Sequence, residues 1–418
     1  MKHITIVSDD LTGAVDSSSF YVAAGGKVRV EAYWENHILP HKDGEAISVN
    51  MSSRTISPAD TKKRHEIIGN RLREFSDQVV MKKMDTGFRG NAVFEIEGLM
   101  EGLKSNVCFV LDHSPSRNTF TLYGNQYVEG VILHKSVFAK EDPLKRPTSA
   151  YIPGILAKDA TKKVGLVDID AVKGSYLAED VAKSIAAGNE IIVFDVTGDA
   201  DCEKIIHTLL PKYPGALWAG SNGLGWGLAN ELLAKPKETL YFPCDNLRCV
   251  CFTASAYSVV RRQISEAEKY GLKEVCLDMD RVLEGDKAAI SETVESCIST
   301  GRNFNFIVSP KISIENGGPV VSQKILSAIS ECVEKICAKL YFDRVVVVGG
   351  ETSFAILNAL KVSKLYISEK PETGIGTGRI GDGPYQGKEF SIKGGSIGSE
   401  RAICHMMGIS DDRKEEKL

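Results

Sequence analysis

Ile4-Thr5-Ile6-Val7-Ser8-Asp9-Asp10-Leu11-Thr12-Gly13-Ala14-Val15-Asp16 stands near the start of the chain. A short β-branched run leads into a polar turn, and the turn into a stretch with apolar residues at helical spacing. This is the strand–loop–helix signature of an α/β protein. The same alternation recurs along the chain. It predicts strands at 4–7, 27–32, 46–49, 78–82, 107–111, 164–167, 190–195 and 216–219, with helices between them. One of these helices covers 58–75, starting with Pro58 at its first position after Ser57. A second series of strands is expected at 249–253, 274–277, 304–308, 344–348, 364–367 and 389–392, with helices at 257–270 and 320–340.

The 418 residues exceed one ordinary domain. The pattern is interrupted by Lys235-Pro236-Lys237-Glu238 and Pro243, which places a boundary there. The expected architecture is two three-layer α/β/α domains with mainly parallel sheets, 1–235 and 236–418, and a cleft between them. The charged stretch 411–418 reads as a frayed tail.

Composition narrows the function. A formal net charge of −4, from 51 basic and 55 acidic residues, leaves no footprint for nucleic acid. No apolar run approaches the roughly 20 residues of a membrane span, and no signal-peptide pattern precedes the first strand. A cytoplasmic location is expected. None of the ten cysteines is spaced Cys-x-x-Cys, and the histidines show no zinc spacing, so no protein-held metal site is expected.

Ligands of open α/β sheets bind beyond the carboxyl ends of strands. At the first such end, Asp9 and Asp10 are adjacent carboxylates before Thr12-Gly13-Ala14. One of them can cap the helix, and the pair can bind hydroxyls or act as a base. The 78–82 strand feeds Lys83-Met84-Asp85-Thr86-Gly87-Phe88-Arg89-Gly90-Asn91. Arg89 is suited to a bidentate grip on a carboxylate, while Asp85 and Asn91 can read hydroxyls; Asn91 as a helix cap is the rival reading. Arg54 lies at a third strand end. In the second domain, the 344–348 strand runs into Gly349-Gly350-Glu351-Thr352-Ser353 and then a helix, a geometry that favours phosphate. Lys393-Gly394-Gly395-Ser396-Ile397-Gly398 offers a second glycine turn. The G-x-G-x-x-G match at 376–381 lacks the strand before it and the helix after it, and no P-loop motif is present.

In this order, Ser8-Asp9-Asp10-Leu11-Thr12-Gly13-Ala14, the Lys83–Asn91 stretch and the two C-terminal glycine loops resemble the four-carbon acid sugar kinase family. Tyr127-Val128-Glu129-Gly130-Val131, Asp142-Pro143-Leu144, Ala219-Gly220-Ser221-Asn222-Gly223-Leu224 and Ser255 ahead of Arg262-Gln263-Ile264 extend the resemblance over nearly the whole chain. The resemblance implies an N-terminal domain for a sugar acid such as threonate, erythronate or 3-oxo-tetronate, and a C-terminal domain for ATP with Mg2+. It implies phosphorylation of a terminal hydroxyl. Asp9, Asp10, Thr12, Arg54, Lys83, Asp85, Arg89, Gly90 and Asn91 would line the substrate. Ser255, Gly349, Gly350, Glu351, Thr352, Ser353, Gly395 and Gly398 would line the nucleotide; from its place in the phosphate turn alone, Glu351 is expected to act on magnesium through water.

Asp10 is the expected base and Asp85 its competitor. Domain closure is expected to exclude water. The partners are thus small molecules, a homodimer being compatible with the sequence. Four departures from the family pattern bear on the substrate. Thr86-Gly87-Phe88 replaces Ser-Thr-Leu, Asp112-His113 replaces small or apolar residues, Ala254-Ser255 replaces Gly-Ser, and Lys-Gly-Gly-Ser-Ile-Gly replaces Lys-Ser-Gly-Gly-Phe-Gly. A non-catalytic sugar-acid regulator and, further off, a nicotinamide-dependent oxidoreductase are the alternatives.

Overall fold

A computed structural model describes residues 3–36, 38, 45–141, 146–233, 247–255, 257–302, 304–311, 318–369, 372 and 374–409. The 235–238 linker, Pro243, Asp142-Pro143-Leu144 and the 411–418 tail lie outside the described residues. The chain divides into two compact units, Met1–Thr239 and Leu240–Leu418.

The first unit holds strands β1 (His3–Ser8), β2 (Lys27–Glu31), β3 (Glu45–Asn50), β4 (Gln78–Lys83) and β5 (Cys108–Leu111). Then come β6 (Thr119–Leu122), β7 (Asn125–Val128), β8 (Val131–Ile132), β9 (Val164–Val167), β10 (Ile191–Phe194) and β11 (Leu217–Gly220). Eight of them form a sheet in the order β2-β3-β1-β4-β11-β5-β10-β9, every pairing parallel. Because successive strand residues face opposite sides, Leu217 and Ala219 enter one core with Ile68, Leu72, Ile96 and Leu99 of the helices Pro58–Leu72 and Ala92–Leu103. Trp218 turns to the other face, where its ring centroid lies 5.2 Å from that of Phe109. Each central strand is therefore apolar on both faces, as a covered parallel sheet requires.

The chain runs from β1 out to β2, returns to β3 beside β1, and then crosses to β4 on the other side. This reversal makes the carboxyl end of β1 the position at which such sheets bind ligands. In register across that edge stand Asn50, Ser8, Lys83, Gly220 and Leu111.

The small antiparallel sheet β6–β8 was not expected from the periodicity. Its two turns, Tyr123-Gly124 and Glu129-Gly130, all have positive φ (46°, 72°, 52° and 77°), as tight two-residue hairpins demand. Two short β-rich runs separated by an X-Gly pair are the sequence signal for them.

The second unit contains β12 (Cys249–Thr253), β13 (Lys273–Asp278), β14 (Phe306–Lys311), β15 (Arg344–Val348), β16 (Lys364–Glu369), β17 (Ile375–Ile380) and β18 (Glu389–Lys393). Their order is β13-β14-β12-β15-β18-β17-β16, with β17 antiparallel to both neighbours. The G-x-G-x-x-G stretch falls largely inside β17, so it forms no dinucleotide turn. Among the described residues, no helix is long and apolar enough to cross a membrane.

Candidate functional site

Asp9 directly follows β1 and is buried; its Oδ2 accepts from Arg54 Nε at 2.9 Å and lies 2.8 Å from a terminal nitrogen of the same guanidinium. Arg54 also pairs with Asp10 Oδ2 at 3.1 Å and approaches Asp85 Oδ1 at 3.6 Å. One guanidinium thus ties together the ends of β1, β3 and β4. Burial opposes its charge, but Asp10, Asp9 and Asp85 outweigh burial and hold it well above its ordinary value.

The three carboxylates are not equivalent. Asp10 caps the helix Leu11–Ala23, with Oδ1 accepting from Gly13 N at 2.6 Å and Oδ2 from Thr12 Oγ1 at 3.0 Å. Asp85 is gripped by Arg89: Nε donates to Oδ2 at 2.7 Å, a terminal nitrogen to Oδ1 at 2.7 Å, and the Arg89 backbone N–H to Oδ2 at 3.0 Å. Burial pushes the Asp85 carboxyl up, yet Arg89 and Arg54 bring it well below the usual range. Asp9 is likewise raised by burial and more strongly lowered by Arg54, Lys82 and Lys83, for a net depression. Its Oδ1 is buried and has no hydrogen-bond partner among the described residues.

Arg89 therefore spends its fork on Asp85, not on an incoming carboxylate, and its guanidinium lies 4.7 Å from the centre of the Phe138 ring. Phe88, at φ 53°, packs against Val128, Leu133, Phe138 and Ala150 in a small core beside β6–β8. The Asn91 amide nitrogen is directed to Ser53 O and Ile56 O at 3.0 Å and to Thr61 Oγ1 at 2.9 Å. It ties the loop after β3 to the helix that follows Asn91 and makes no side-chain cap bond. Gly90 brings the backbone near Asp9, its Cα position leaving a hypothetical Cβ 3.7 Å from Oδ2.

The residues that sequence reasoning missed, Lys82, Ser53 and Glu95, lie beneath this rim. Lys82 and Lys83 alternate across the strand. Lys83 Nζ donates to Met84 O at 2.6 Å, while Lys82 is fully buried and meets Glu95 Oε2 at 3.0 Å. Ser53 Oγ donates to the other Glu95 oxygen at 2.6 Å. Burial raises the Glu95 carboxyl despite Lys82. The one signal for this pair is an acidic residue on an otherwise apolar helix face, Val93, Ile96, Leu99 and Met100.

In the second unit, Thr253, Val348 and Lys393 stand in register at adjacent parallel strand ends. The loops that follow converge. A Cβ on Gly395 would lie 2.5 Å from Ser255 Oγ and 3.0 Å from the Tyr257 ring, so a side chain there displaces Ser255. Gly349, at φ 115°, turns the chain into the helix Gly350–Ala359, and its N–H donates to Lys393 O at 2.9 Å. Thr352 and Ser353 are buried, and the Ser353 hydroxyl returns to Gly349 O at 2.7 Å. Glu351 is exposed in that turn. Gly398, at φ 92°, ends the second glycine loop, whose carbonyls at Ile397, Gly398 and Ser399 accept from the buried Gln263 amide at 2.8–3.2 Å.

Comparison with known proteins agrees with this division. Residues 4–228 match the family described as "Sugar-binding N-terminal domain", and 250–403 match "Nucleotide-binding C-terminal domain". The chain is 25% identical to a 3-oxo-tetronate kinase of Methylobacterium radiotolerans, covering 94% of this chain and 95% of that protein. It is 23% identical to a D-threonate kinase of Bordetella bronchiseptica, covering 99% of each, and 21% identical to a D-erythronate kinase of Heliobacterium modesticaldum, covering 97% and 96%. A solved structure from Haemophilus influenzae matches with a TM-score of 0.75 at 21% identity, over 97% of this chain and 99% of that one. Another, from Salmonella typhimurium LT2, matches with a TM-score of 0.79 at 19% identity, over 97% and 98%. With both domain families matched in order along most of its length, the chain belongs to the four-carbon acid sugar kinase family.

Proposed function

We propose that the protein is an ATP-dependent kinase that phosphorylates a terminal hydroxyl of a four-carbon sugar acid of the threonate, erythronate or 3-oxo-tetronate class. The observation that carries this reading is the buried, unpartnered Oδ1 of Asp9 beside Arg54. It sits at the carboxyl edge of the sheet, in a chain whose other unit carries two glycine loops, one of them at a helix start. Asp10 is committed to its helix cap and Asp85 to Arg89, so Asp9, rather than Asp10, is proposed to accept the hydroxyl proton. The substrate oxygen then forms its bond to the γ-phosphorus as the bond to ADP breaks, and the proton passes to Asp9 Oδ1. A weakly basic carboxylate suffices because phosphoryl transfer depends mainly on positioning and charge neutralisation.

Arg54 orients Asp9 and offers positive charge to the acid. The backbone of Gly349 and Gly350, with Ser255 and Gly395, is proposed to hold the phosphates. Among the described residues, no cluster of His, Cys, Asp or Glu could hold a metal by itself. The exposed Glu351 carboxylate fits Mg2+ bound mainly through phosphate oxygens. Magnesium, when bound, supplies neutralisation of phosphate charge. A coupled ADP-release assay with ATP and Mg2+ against a panel of tetronates and 3-oxo-tetronates tests the reading. Acid-dependent release that falls at least 100-fold in Asp9→Asn is expected, and ATP binding without turnover on any acid overturns it.

A further inference from the structure

Asp112 follows β5 on the same edge, two strands from Lys83, with Gly220 in register between them. Its carboxyl is buried and bonded at one oxygen only. Gln126 Nε2 donates to Oδ2 at 2.7 Å, and Gln126 Oε1 lies 2.9 Å from Thr121 Oγ1. Thr121 Oγ1 also reaches Asp112 O at 3.0 Å. The carboxyl is thus held by a side chain that is itself held, as residues of binding sites are.

Oδ1 has no hydrogen-bond partner among the described residues. The Ser221 hydroxyl beside it donates its proton to His113 O at 2.6 Å. An ionised carboxylate oxygen with no donor is costly to bury, and a proton on that oxygen removes the cost.

The charged groups acting on Asp112 are Lys83 and Asp85, both from the loop after β4. From β11 it meets the Ser221 hydroxyl, and from the small sheet the neutral Gln126 and Thr121. On its own strand end, the His113 ring is engaged by Thr119 O and by Asp199 Oδ1, each at 2.9 Å. Burial raises the carboxyl to about 7, against the pull of Lys83 and with the push of Asp85.

We propose that Asp112 is a specificity-determining residue of the sugar-acid site, presenting Oδ1 as a protonated hydrogen-bond donor to an oxygen of the bound acid. The identity of the ligand rests on the kinase reading above. Acid affinity falls as pH rises through about 7, because ionisation removes the donor. An asparagine keeps a donor at every pH, and its amide oxygen still accepts from Gln126.

The test is calorimetric titration of threonate, erythronate and 3-oxo-tetronate into the full chain between pH 6 and 8.5, for the parent, Asp112→Asn and Asp112→Ala, with ADP release measured on the same panel. The parent is expected to lose about fivefold in affinity from pH 7 to 8, Asp112→Asn to show no such loss, and Asp112→Ala to bind at least tenfold more weakly at pH 6. An unchanged pH dependence in Asp112→Asn, or parent-like binding by Asp112→Ala, overturns the assignment. Binding with the expected pattern but no ADP release supports Asp112 and overturns the kinase reading; binding of no acid overturns both.

Discussion

Arg54 is shared by Asp9, Asp10 and Asp85, and its removal leaves three carboxylates facing one another. Its side chain is 30% exposed, so the loss is smaller than for a fully buried pair. Arg54→Ala is expected to cost about 2 kcal/mol in urea denaturation and to abolish activity. Asp10→Ala removes a helix cap, for about 1 kcal/mol, and is expected to lower kcat less than Asp9→Asn does. Equal losses in the two variants would return the acceptor role to Asp10.

Asp112 makes a pH prediction at the same scale. Its folded value, about 7, lies above the ordinary 3.8, so the stability it contributes is present in full below about 4 and lost as pH rises through 7. Asp112→Asn lacks this loss. Its stability relative to the parent should rise by up to about 3 kcal/mol between pH 5 and 8, and a constant difference would exclude a buried acid at this position.

At the scale of elements, the proposed chemistry lies at the strand ends, and the glycine loops show why composition matters there. Gly395→Ala forces a Cβ against Ser255 Oγ. It is expected to raise the KM for ATP at least tenfold with little change in sugar-acid affinity, and the opposite split would place the nucleotide elsewhere. The long parallel strands were legible because each is apolar on both faces and is followed by a helical period. The helix expected over 58–75 stops at Leu72, where the backbone N–H groups of Glu74 and Phe75 turn back to Arg71 O and Leu72 O. The β6–β8 sheet escaped notice because β6 (Thr-Phe-Thr-Leu) and β7 (Asn-Gln-Tyr-Val) are half polar and β8 has two residues. Such runs carry too little periodicity to register, and only their X-Gly turns mark them.

At the scale of the molecule, the residues proposed for the sugar acid and those proposed for the nucleotide fall in separate compact units. Each proposed role is tested by substitution within its own unit. Asp9→Asn is therefore expected to bind a non-hydrolysable ATP analogue with parent-like affinity by calorimetry. A loss of more than threefold would show that Asp9 influences the nucleotide. The sequence by itself determined the α/β class, the two series of strands and the loops that bear polar residues, since these follow from local periodicity and turn chemistry. Only the tertiary structure decided which groups are spent and which are available. Arg54 lies 45 residues from Asp9, and Asp112 is held by Gln126 through an unforeseen hairpin. Whether a carboxylate is capped, paired or left with an open oxygen depends on such distant neighbours, and no local pattern encodes them.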